Sequence, residues 1–411
     1  MDERLVEDLA RGAYGRLLAI LAARDGDIEA AEDCLGHAFV QALRTWPAGG
    51  VPDNPEGWLL TVARNRLRDI HRSAEHRLSD SIEELALSEA LTAVDEIDPD
   101  AIPDRRLALL FVCAHPAIDA AARTPLMLQT VLGFSAEQIA EAFAMPPAAM
   151  AQRLVRAKRR IRDARIPFVV PDRAQMPQRL TPVLEAVYGA YAIDFPLVAG
   201  SEVRESLAAE SHYLASALAE LLPHEPEALG LAALISLSLA RRPGRGNDGE
   251  FVPLDQQNTS LWDAQLIALG ERYLHEARAL ARVGRFQLEA AIQSVHCARA
   301  RSGVTDWRAL RTLHEALISV APTLGARVAH AAAVGRVDGP QAGLDALEAI
   351  QDEAMQRFQP AWATRAHLLA DAGRAEAAVQ AFTRAISLTT DSRARRYLER
   401  QGLRNANLSP E

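Results

Sequence analysis

The stretch that decides the fold runs from Ser135 to Arg165 and reads SAEQIAEAFAMPPAAMAQRLVRAKRRIRDAR. Ser135 belongs to the residue types that cap helix N-termini, and the glutamate and glutamine after it suit the positive end of a helix dipole. Pro146 and Pro147 are expected to end this helix and to begin a second one, because proline fits the first helical turn and pushes its predecessor into an extended conformation. The stretch therefore predicts two helices joined by a tight turn.

One face of the second helix is apolar and the other faces are strongly cationic. Apolar residues recur at spacings of four, three and four, at Met150, Leu154, Ala157 and Ile161, which predicts one buried stripe. A cationic helix after a tight turn is typical of the helix-turn-helix, whose exposed side chains read base edges and hold phosphates. An arginine-rich, solvated face without DNA is the alternative that this stretch leaves open.

The composition predicts an all-α protein, because Ala and Leu dominate, β-branched runs are scarce and aromatic residues make up 5% of the 411 residues. The net charge of −9 excludes a polycation that coats nucleic acid along its whole length. The charge is nevertheless uneven, since residues 78–100 contain eight acidic and no basic residues, whereas residues 101–165 contain ten basic and five acidic ones. This asymmetry indicates a localised nucleic-acid surface.

Cysteine usage and hydropathy point to a cytoplasmic bacterial protein. Cys34, Cys113 and Cys297 are too few and too far apart for a disulfide framework or a metal site. The charged N-terminus does not resemble a signal peptide, and no apolar run approaches the roughly 20 residues that a membrane span needs. We expect no membrane contact and no cofactor. Arginine provides every cation except Lys158, which is the single lysine of the chain.

Two motifs lie upstream of the predicted helix pair, and they indicate the kind of protein to which it belongs. The first, A-E-D-x-x-x-x-A-F-x-x-A-L, runs from Ala31 to Leu43, where Ala31, Leu35, Phe39 and Leu43 recur at intervals of four. The second, N-P-E-G-W-L-L-T-V-A-R-N-R-L-R-D-x-x-R, runs from Asn54 to Arg72. Both resemble region 2 of the extracytoplasmic-function (ECF) group of sigma-70 family factors, and 135–165 is then similar to region 4. The run FVCAHPAI and later stretches resemble the sigma factors of this group that carry a long helical C-terminal extension.

The resemblance implies five segments: a region 2 domain (1–75), an acidic linker (76–102), a region 4 helix-turn-helix domain (103–165), a Pro-rich linker (166–182) and a tetratricopeptide-like helical extension (183–411). As a sigma factor the protein would not be an enzyme. It would bind core RNA polymerase at the clamp coiled coil and the flap, place it on promoter DNA and help to open the duplex. The acidic linker would either thread the positively charged interior of the polymerase or act as an extended tether.

The same resemblance assigns residues to each partner. The helix predicted over 28–46 would dock on the polymerase clamp through Glu32, Asp33, Leu35, Gly36, His37 and Phe39. Family members usually carry Gln-Glu where this sequence has Gly36 and His37. The −10 strand would be held by Gln41, Thr45, Asn65, Arg66, Asp69 and Arg72. Trp58 is expected in the core, whereas Trp46 has two interpretations, base stacking or packing.

Region 4 is expected to read the −35 element through the exposed face of the second helix. The residues proposed for base contacts are Gln152, Arg153 and Arg156, and those proposed for phosphates are Lys158, Arg159 and Arg160.

The clearest repeat lies near the C-terminus. The packing positions of a tetratricopeptide repeat are occupied there by Trp362, Ala366, Gly373, Ala378, Phe382 and Ala385. Helical repeats of this kind make concave surfaces for protein segments. One hypothesis is an intramolecular regulator that covers regions 2 and 4. The other is a domain required for activity, which docks on the polymerase or on a sensor protein.

No constellation for catalysis occurs in the sequence, since a P-loop, a GxSxG elbow, an HExxH helix and a CxxC pair are all missing. His115 precedes Pro116 and is expected to form a structural turn rather than a metal site, because Cys113 has no further ligand nearby. Two other classes remain as alternatives. One is a one-component helix-turn-helix regulator with a helical sensing domain, and the other is a tetratricopeptide scaffold whose basic helix is incidental.

Overall fold

The computed structural model describes residues 2–78, 102–143, 145–171, 175–197, 202–245 and 251–406. Within these ranges the chain forms helices and connecting segments without a strand, so the all-α prediction is confirmed for them. The chain divides into two compact units, residues 1–217 and 218–411. None of the described helices is long and apolar enough to cross a membrane.

The helices up to the unit boundary are α1 (Asp2–Asp25), α2 (Ile28–Gly49), α3 (Pro55–Leu78), α4 (Ile102–Cys113), α5 (Ala120–Thr130), α6 (Ala136–Ala142), α7 (Pro147–Asp163), α8 (Met176–Leu197) and α9 (Glu202–Leu221), whose last turn crosses the boundary. Those beyond it are α10 (Pro226–Ala240), α11 (Ala264–Ala279), α12 (Arg285–Ser302), α13 (Trp307–Val320), α14 (Leu324–Asp338), α15 (Pro340–Glu348), α16 (Gln359–Asp371), α17 (Ala375–Ser387) and α18 (Ser392–Ala406). Short 3-10 turns occupy Arg242–Arg245, Leu254–Gln256, Thr259–Leu261 and Glu353–Arg357.

Helix α2 is longer than its motif suggests, and it buries a different set of side chains. It continues past Pro47 to Gly49, three residues beyond the expected end. Its buried stripe follows Ala31, Leu35, Ala38, Ala42 and Trp46. Leu43 is instead 42% exposed, because successive steps of four residues drift by about 40° around an α-helix. A shorter step at Ala38 corrects this drift, and it keeps the stripe on one face.

The first unit joins segments that are distant in sequence. Helix α1 lies so close to the end of α5 that a Cβ atom added at Gly15 would stand 1.8 Å from the carbonyl oxygen of Val131. Helix α8 also packs on α5, where a Cβ atom added at Gly189 would lie 4.0 Å from Leu128 Cδ2. Helix α8 therefore belongs to the compact unit of the N-terminal helices, although the sequence places a domain boundary at 166–182.

Ion pairs extend the first unit to α9. Arg106 in α4 is 8% exposed and pairs with Glu210 in α9, and its guanidinium lies 5.0 Å from the centre of the Tyr213 ring. Burial lowers the pKa of Arg106, and the nearby Tyr213 acts in the opposite direction. A buried guanidinium needs such partners, because an unpaired buried charge is strongly destabilising.

The second unit is an array in which each helix packs on helices that are next to it, or next but one, in sequence. Helices approach closely where glycines face another backbone: a Cβ on Gly343 in α15 would lie 2.8 Å from the Cα of Gly335 in α14. Between α10 and α12, the Glu227 carboxylate accepts hydrogen bonds from the Phe286 and Gln287 N–H groups, at 2.9 and 3.2 Å. It thereby satisfies unpaired donors in the first turn of α12.

The repeat near the C-terminus forms the helix pair that the sequence predicts. Gly373 has a φ of +73° in the connection between α16 and α17, a conformation that glycine adopts without steric cost. Ala366, Ala378, Phe382 and Ala385 lie in one buried cluster, with Trp362 packed against it. The small residues allow the two helices to approach, and Phe382 fills the space between them.

An irregular segment of the second unit, residues 251–262, contacts helices that are far apart in the array, and we term it the strap. The Phe251 ring lies 5.2 Å from the ring of Tyr397 in α18. Further along, Asp255 Oδ2 accepts a hydrogen bond from Arg336 Nη2 in α14 at 3.0 Å.

Arg299 in α12 holds the centre of the strap. Its guanidinium donates to the Asp255 carbonyl and, at 2.8 Å, to the Gln257 carbonyl. The same group lies 5.1 Å from the Trp262 ring centre, and Trp262 packs in a cluster with residues of α10 and α11. The strap therefore connects the first helices of the array with α18.

Candidate nucleic-acid interface

Helices α6 and α7 form the predicted pair around a tight turn. The Ser135 hydroxyl accepts from the Gln138 N–H, and the Gln138 side chain accepts from the Ser135 N–H, so the helix begins with a complete capping box. Pro146 precedes α7, which starts at Pro147. Met150, Leu154 and Ile161 are 0–1% exposed, which confirms the buried stripe.

The face of α7 opposite this stripe presents two of the predicted base-reading residues. Gln152 and Arg156 are both exposed, and neither makes an assigned hydrogen bond or ion pair among the described residues. An unpaired amide and guanidinium on adjacent turns can bind base edges bidentately. These two side chains are therefore the most available for sequence readout.

Two further arginines are held against α5 and the loop that precedes it. Arg153 Nη1 donates to the Ala121 carbonyl, and Arg160 Nε donates to the Ala117 carbonyl, each at 3.3 Å. Each guanidinium keeps other N–H groups. These contacts orient Arg153 and Arg160 along the edge of α7, where they suit a neighbouring phosphate better than a base.

Three cations on one flank of α7 face three carboxylates near the start of α2. Lys158 Nζ lies 2.5 Å from Glu32 Oε2, and these side chains are 7% and 18% exposed. We term the six residues the clasp: Asp27, Glu29, Glu32, Lys158, Arg159 and Arg162. Lys158 was predicted to hold a phosphate and Glu32 to contact the polymerase, but in this arrangement each is covered by the other.

The outer pairs of the clasp are longer and more exposed. Arg159 Nε lies 3.7 Å from Glu29 Oε1, with the arginine side chain 61% exposed. Arg162 Nη1 lies 3.4 Å from Glu29 Oε2 and 3.6 Å from Asp27 Oδ2. Pairs of this kind contribute little individually, because water and salt screen them.

The surroundings of Lys158 are apolar enough to shift neighbouring groups. Burial raises the pKa of the Glu32 carboxyl, while the adjacent Lys158 ammonium acts to lower it. Burial, together with Glu32 and Asp33, raises the pKa of Tyr14. Burial raises the pKa of the Cys113 thiol to about 12. The pair is thus largely withdrawn from water, which strengthens the attraction within it.

The residues proposed for the −10 strand are mostly accessible. Thr45, Asn65, Arg66, Asp69 and Arg72 are exposed, and Gln41 is half-buried. Asn65, Asp69 and Arg72 share the face of α3 that lies opposite the buried Leu59, Ala63 and Leu67. Arg66 lies about 100° around the helix from Asn65.

Trp46 and Trp58 pack against each other where the end of α2 meets the start of α3. Trp46 is 2% exposed, and its ring centre lies 5.4 Å from that of the half-buried Trp58 in an edge-to-face arrangement. Of the two interpretations of Trp46, packing is the one that fits this position. The paired rings fix where α3 begins relative to the end of α2.

The residues assigned to the polymerase clamp separate into two groups. Leu35 and Phe39 are 0% and 9% exposed, so they stabilise α2 within the first unit instead of meeting a partner. Asp33, Gly36 and His37 are exposed. The sequence interpretation also missed Val40, which is 45% exposed on the turn after Gly36 and His37. The signal was available, because Val40 is apolar but lies off the stripe through Ala38 and Ala42.

His115 forms part of a turn, as the sequence predicts. Its Nδ1 accepts a hydrogen bond from the Ala117 N–H at 3.1 Å. Burial lowers the pKa of His115, and the neighbouring Arg179, Arg123 and Arg160 act in the same direction. Among the described residues, no cluster of three or more His, Cys, Asp or Glu side chains could hold a metal ion.

Comparison with known proteins finds a family match for the N-terminal part of the chain and another for a later segment. Residues 9–77 match the family described as sigma-70 region 2, and residues 179–278 match a family of unknown function, DUF6596. The first match covers α2 and α3, which carry the proposed polymerase and −10 residues. It indicates sigma factor function for this part, with a C-terminal part of unknown function.

An uncharacterized protein of Rhizobium meliloti (strain 1021) is 34% identical over 381 residues, which are 91% of this chain and 90% of the relative. This chain therefore belongs to the same family as the rhizobial protein, and its N-terminal part is a sigma-70 region 2 domain.

Two relatives named as sigma factors match a smaller part. A probable ECF RNA polymerase sigma factor, SigI, of Mycobacterium tuberculosis (strain ATCC 25618 / H37Rv) is 31% identical over 145 residues, which are 34% of this chain and 49% of that protein. A probable RNA polymerase sigma factor, RfaY, of Xanthomonas campestris pv. campestris is 30% identical over 162 residues, which are 37% of this chain and 40% of that protein. This chain thus spans less than half of either sigma relative. No solved structure is significantly similar to it.

Proposed function

We propose that this protein is an alternative sigma factor of the extracytoplasmic-function type. It binds core RNA polymerase, directs it to a promoter with −35 and −10 elements, and supports DNA melting. The observation that carries the proposal is the sigma-70 region 2 match over residues 9–77. A one-component regulator would leave this matched segment without a role.

The polymerase docks on the exposed face of α2. This face combines the polar Asp33 and His37 with Val40, which is 45% exposed. An apolar residue among polar ones is the usual anatomy of a protein interface, in which the apolar centre supplies affinity and the polar rim supplies specificity. Leu35 and Phe39 contribute indirectly, since they hold the helix in place.

The promoter is held at two places. Asn65, Asp69 and Arg72 on the outer face of α3 contact the −10 strand, and Gln152 and Arg156 on α7 read the −35 element. Arg153, Arg159 and Arg160 hold phosphates. The structure gives no support for a phosphate contact of Lys158 while it is paired with Glu32.

Run-off transcription with purified core polymerase tests the proposal. The full chain is expected to direct initiation from a defined site, and Val40→Asp is expected to weaken polymerase binding by about tenfold or more, because it places a charge in the apolar centre. Val169→Asp is the matched control, since Val169 is 56% exposed outside α2. Failure of the full chain to associate with core polymerase would refute the proposal.

Readout by α7 has its own test. Arg156→Ala is expected to lower promoter affinity by about 1–3 kcal/mol and to relax specificity at one base pair. Arg160→Ala should weaken binding uniformly across promoter variants, because a phosphate contact carries no sequence information. A promoter preference unchanged by Arg156→Ala would remove this residue from the reading face.

The C-terminal part either inhibits the N-terminal helices or is required for their activity. A chain cut near residue 180 cannot separate these two hypotheses, because it loses most of α8, whose Val183, Ala186 and Val187 are fully buried. A chain ending near residue 222 keeps all of α8 and α9. Higher promoter output from this shorter chain supports inhibition, whereas lost output supports a required domain.

A further inference from the structure

The strap lies along one side of the helical array. Its last residue, Trp262, packs against α10, α11 and α12, and the strap also contacts Arg299 of α12, Arg336 of α14 and Tyr397 of α18. Helices α10, α12 and α14 are the first members of their pairs, and α18 follows the pair α16–α17. Because the pairs stack on one another, their first helices line one side of the array. Helical repeats bind protein segments on such a surface.

The side chains on this surface are cationic and aromatic. The Arg336 guanidinium lies 5.1 Å from the centre of the Trp307 ring, and the Trp307 ring meets the His296 ring edge-on at 6.4 Å between their centres. Burial lowers the pKa of His367 in α16, and Asp255 of the strap acts to raise it. The carboxylate of the strap therefore lies in the field of α16 as well as being bound by α14.

Cations outnumber the carboxylate that the strap presents to α18. Burial raises the pKa of Tyr397, and Asp255 acts in the same direction, whereas Arg404, Arg400 and Arg336 act to lower it. Three guanidinium groups thus act on this ring, against one carboxylate of the strap. A segment with more acidic residues than the strap would complement this surface better.

The two halves of the strap are held with different strength. In the second half, Gln257 and Trp262 are 9% and 6% exposed, so this half belongs to the core. The first half, residues 251–256, contains no buried side chain. Phe251 is 41% exposed, and the side chain of Asp255 is 44% exposed in its ion pair with α14. Exposed contacts of this kind contribute little stability, so a competing segment can replace them.

We propose that residues 251–256 are the internal occupant of a peptide-binding surface, and that an extended acidic segment of another protein takes their place. The segment carries an aromatic side chain for the Tyr397 ring and, four residues away, a carboxylate for Arg336, as Phe251 and Asp255 do in the strap. The inference goes beyond the proposed function and does not depend on it.

The way in which the strap is recognised favours a peptide over a nucleic acid. Arg299 donates to the main-chain carbonyl groups of Asp255 and Gln257, which are groups that every peptide offers and a nucleic acid backbone lacks. The aromatic contact of Phe251 adds a side-chain preference to this main-chain contact. The strap thus shows the binding mode that the proposed partner would use.

The covalent attachment of the strap makes it an effective competitor. A tethered segment acts at an effective concentration of about 1 mM, so a free peptide at micromolar concentration meets an occupied surface. Removing the side chains that the strap places there should raise the apparent affinity of the free peptide, because a larger fraction of the protein is then competent to bind.

The test uses the full chain and a fluorescein-labelled peptide of sequence FVPLDQQ, which is the sequence of residues 251–257. Fluorescence anisotropy measures its binding. Phe251→Ser combined with Asp255→Asn is expected to bind the peptide about tenfold more tightly than the wild type. Equal affinities, or no binding to either protein, would overturn the proposal.

The matched control combines Leu261→Ser with Asp338→Asn. Leu261 is an exposed apolar residue of the strap, at 53%, and Asp338 is 47% exposed in a pair with Arg311, so these two substitutions resemble the first two in exposure and charge. This control should bind the peptide like the wild type. A gain equal to that of the first variant would show that general loosening, and not a vacated surface, admits the peptide.

A third substitution locates the peptide on the surface. Arg336→Gln, added to the variant with the altered strap, should weaken peptide binding by about tenfold, because it removes the partner of the carboxylate. Arg327→Gln is the control, since Arg327 lies nine residues earlier in α14, on its opposite face at about 100° per residue. Equal effects of the two substitutions would overturn the assignment of the surface.

Hydrogen exchange follows the strap in the unaltered protein. Excess unlabelled peptide should accelerate exchange in residues 251–256 and leave residues 257–262 unchanged, because only the first half is replaced. Unchanged exchange in both halves at a peptide concentration that saturates binding would overturn the replacement.

Two further measurements exclude other occupants. Sedimentation of the wild type would assign the surface to a second copy of this chain if the chains associate and Arg336→Gln separates them. Displacement of the labelled peptide by a DNA single strand of about 20 nucleotides would assign the surface to nucleic acid. Either result would overturn the assignment to a segment of another protein. A monomer from which DNA does not displace the peptide supports it.

Discussion

The two compact units hold their helices together in different ways. In the second unit, each helix packs mainly on its neighbours in sequence, as Gly335 of α14 does on Gly343 of α15. In the first unit, the Lys158–Glu32 pair joins residues that are 126 positions apart. Local packing of repeats follows from the sequence of each repeat, whereas a long-range charged contact depends on how separate segments meet. The second unit is thus the part whose arrangement each repeat specifies locally, and the first is the part that depends on contacts between segments far apart in sequence.

The largest expected effect is a loss of unfolding free energy that distinguishes a core position of the first unit from a surface position. Leu35→Ala is expected to lower the free energy of unfolding by about 2–5 kcal/mol, because a fully buried leucine leaves a cavity. Val40→Ala, on the same helix but 45% exposed, should change it by less than about 1 kcal/mol. Hydrogen exchange of peptides from the first unit measures both. Equal losses would mean that Val40 belongs to the core and not to an interface.

The next largest effect is expected in the second unit, at the point where the backbones of α14 and α15 meet. Gly343→Leu is expected to destabilise that unit by about 1–3 kcal/mol, because the larger side chain overpacks the α14–α15 contact. Hydrogen exchange should show faster opening of α14 and α15, with the first unit unchanged. Gly325→Ala is the control, since the nearest atom to its added Cβ is Phe358 Cζ at 3.9 Å. A response of the first unit would contradict the independence of the two packings.

Acid should weaken the second unit through two half-buried histidines, His296 and His314. Burial, with Arg241, His314 and Arg299 nearby, lowers the pKa of His296 from 6.5 to about 3, and burial lowers that of His314 to about 4. Between these values and 6.5 the unfolded chain binds more protons than the folded one, so stability is complete above pH 6.5 and is lost as the pH falls. The slope is at most about 1.4 kcal/mol per pH unit for each histidine.

His296→Gln tests this dependence, with urea midpoints measured between pH 7 and 5. The variant should show a flatter decline than the wild type, because it removes one group that must be protonated on unfolding. His275→Gln at an exposed position of α11 is the control and should leave the decline unchanged. An identical decline in His296→Gln would assign the acid sensitivity to other groups.

The smallest expected effect comes from exposed ion pairs, one in each unit. Arg159→Ala removes the 3.7 Å pair with Glu29, and Arg311→Ala removes the 2.7 Å pair with Asp338 together with a 3.7 Å pair with Glu315. Each should lower the free energy of unfolding by about 1 kcal/mol or less, and less still at high salt. A much larger loss for Arg159 alone would mean that the outer clasp pairs hold the first unit more strongly than their exposure implies.

The sequence predicted what depends on local pattern. The helix start at Ser135, the stripe through Met150, Leu154 and Ile161, and the packing of Phe382 all follow from spacing and residue type within one or two helices. Each involves residues whose partners lie within a short stretch of chain. For such elements, helical periodicity is sufficient information.

The remaining features depend on partners that no local pattern names. Lys158 looks like any other cation of α7, and it is buried because α2 presents Glu32 to it. Helix α8 follows a Pro-rich stretch that suggested a boundary, and it joins the first unit because α5 offers it an apolar face. Val40 is the exception, since a stricter treatment of the stripe on α2 would have found it. The two interpretations of the acidic linker concern residues that lie almost entirely outside the described ranges.

The strap changes how the helical array should come apart. A linear stack of repeats frays from its ends, since a terminal repeat has a single neighbour to lose. Here Tyr397 of α18 rests against Phe251, four residues before an aspartate that Arg336 holds from α14. Separating α18 from the array therefore disturbs the strap, which also packs against the first helices of the array. Pulled by its two ends in an optical trap, the array should yield in one large rupture instead of a staircase of single repeats.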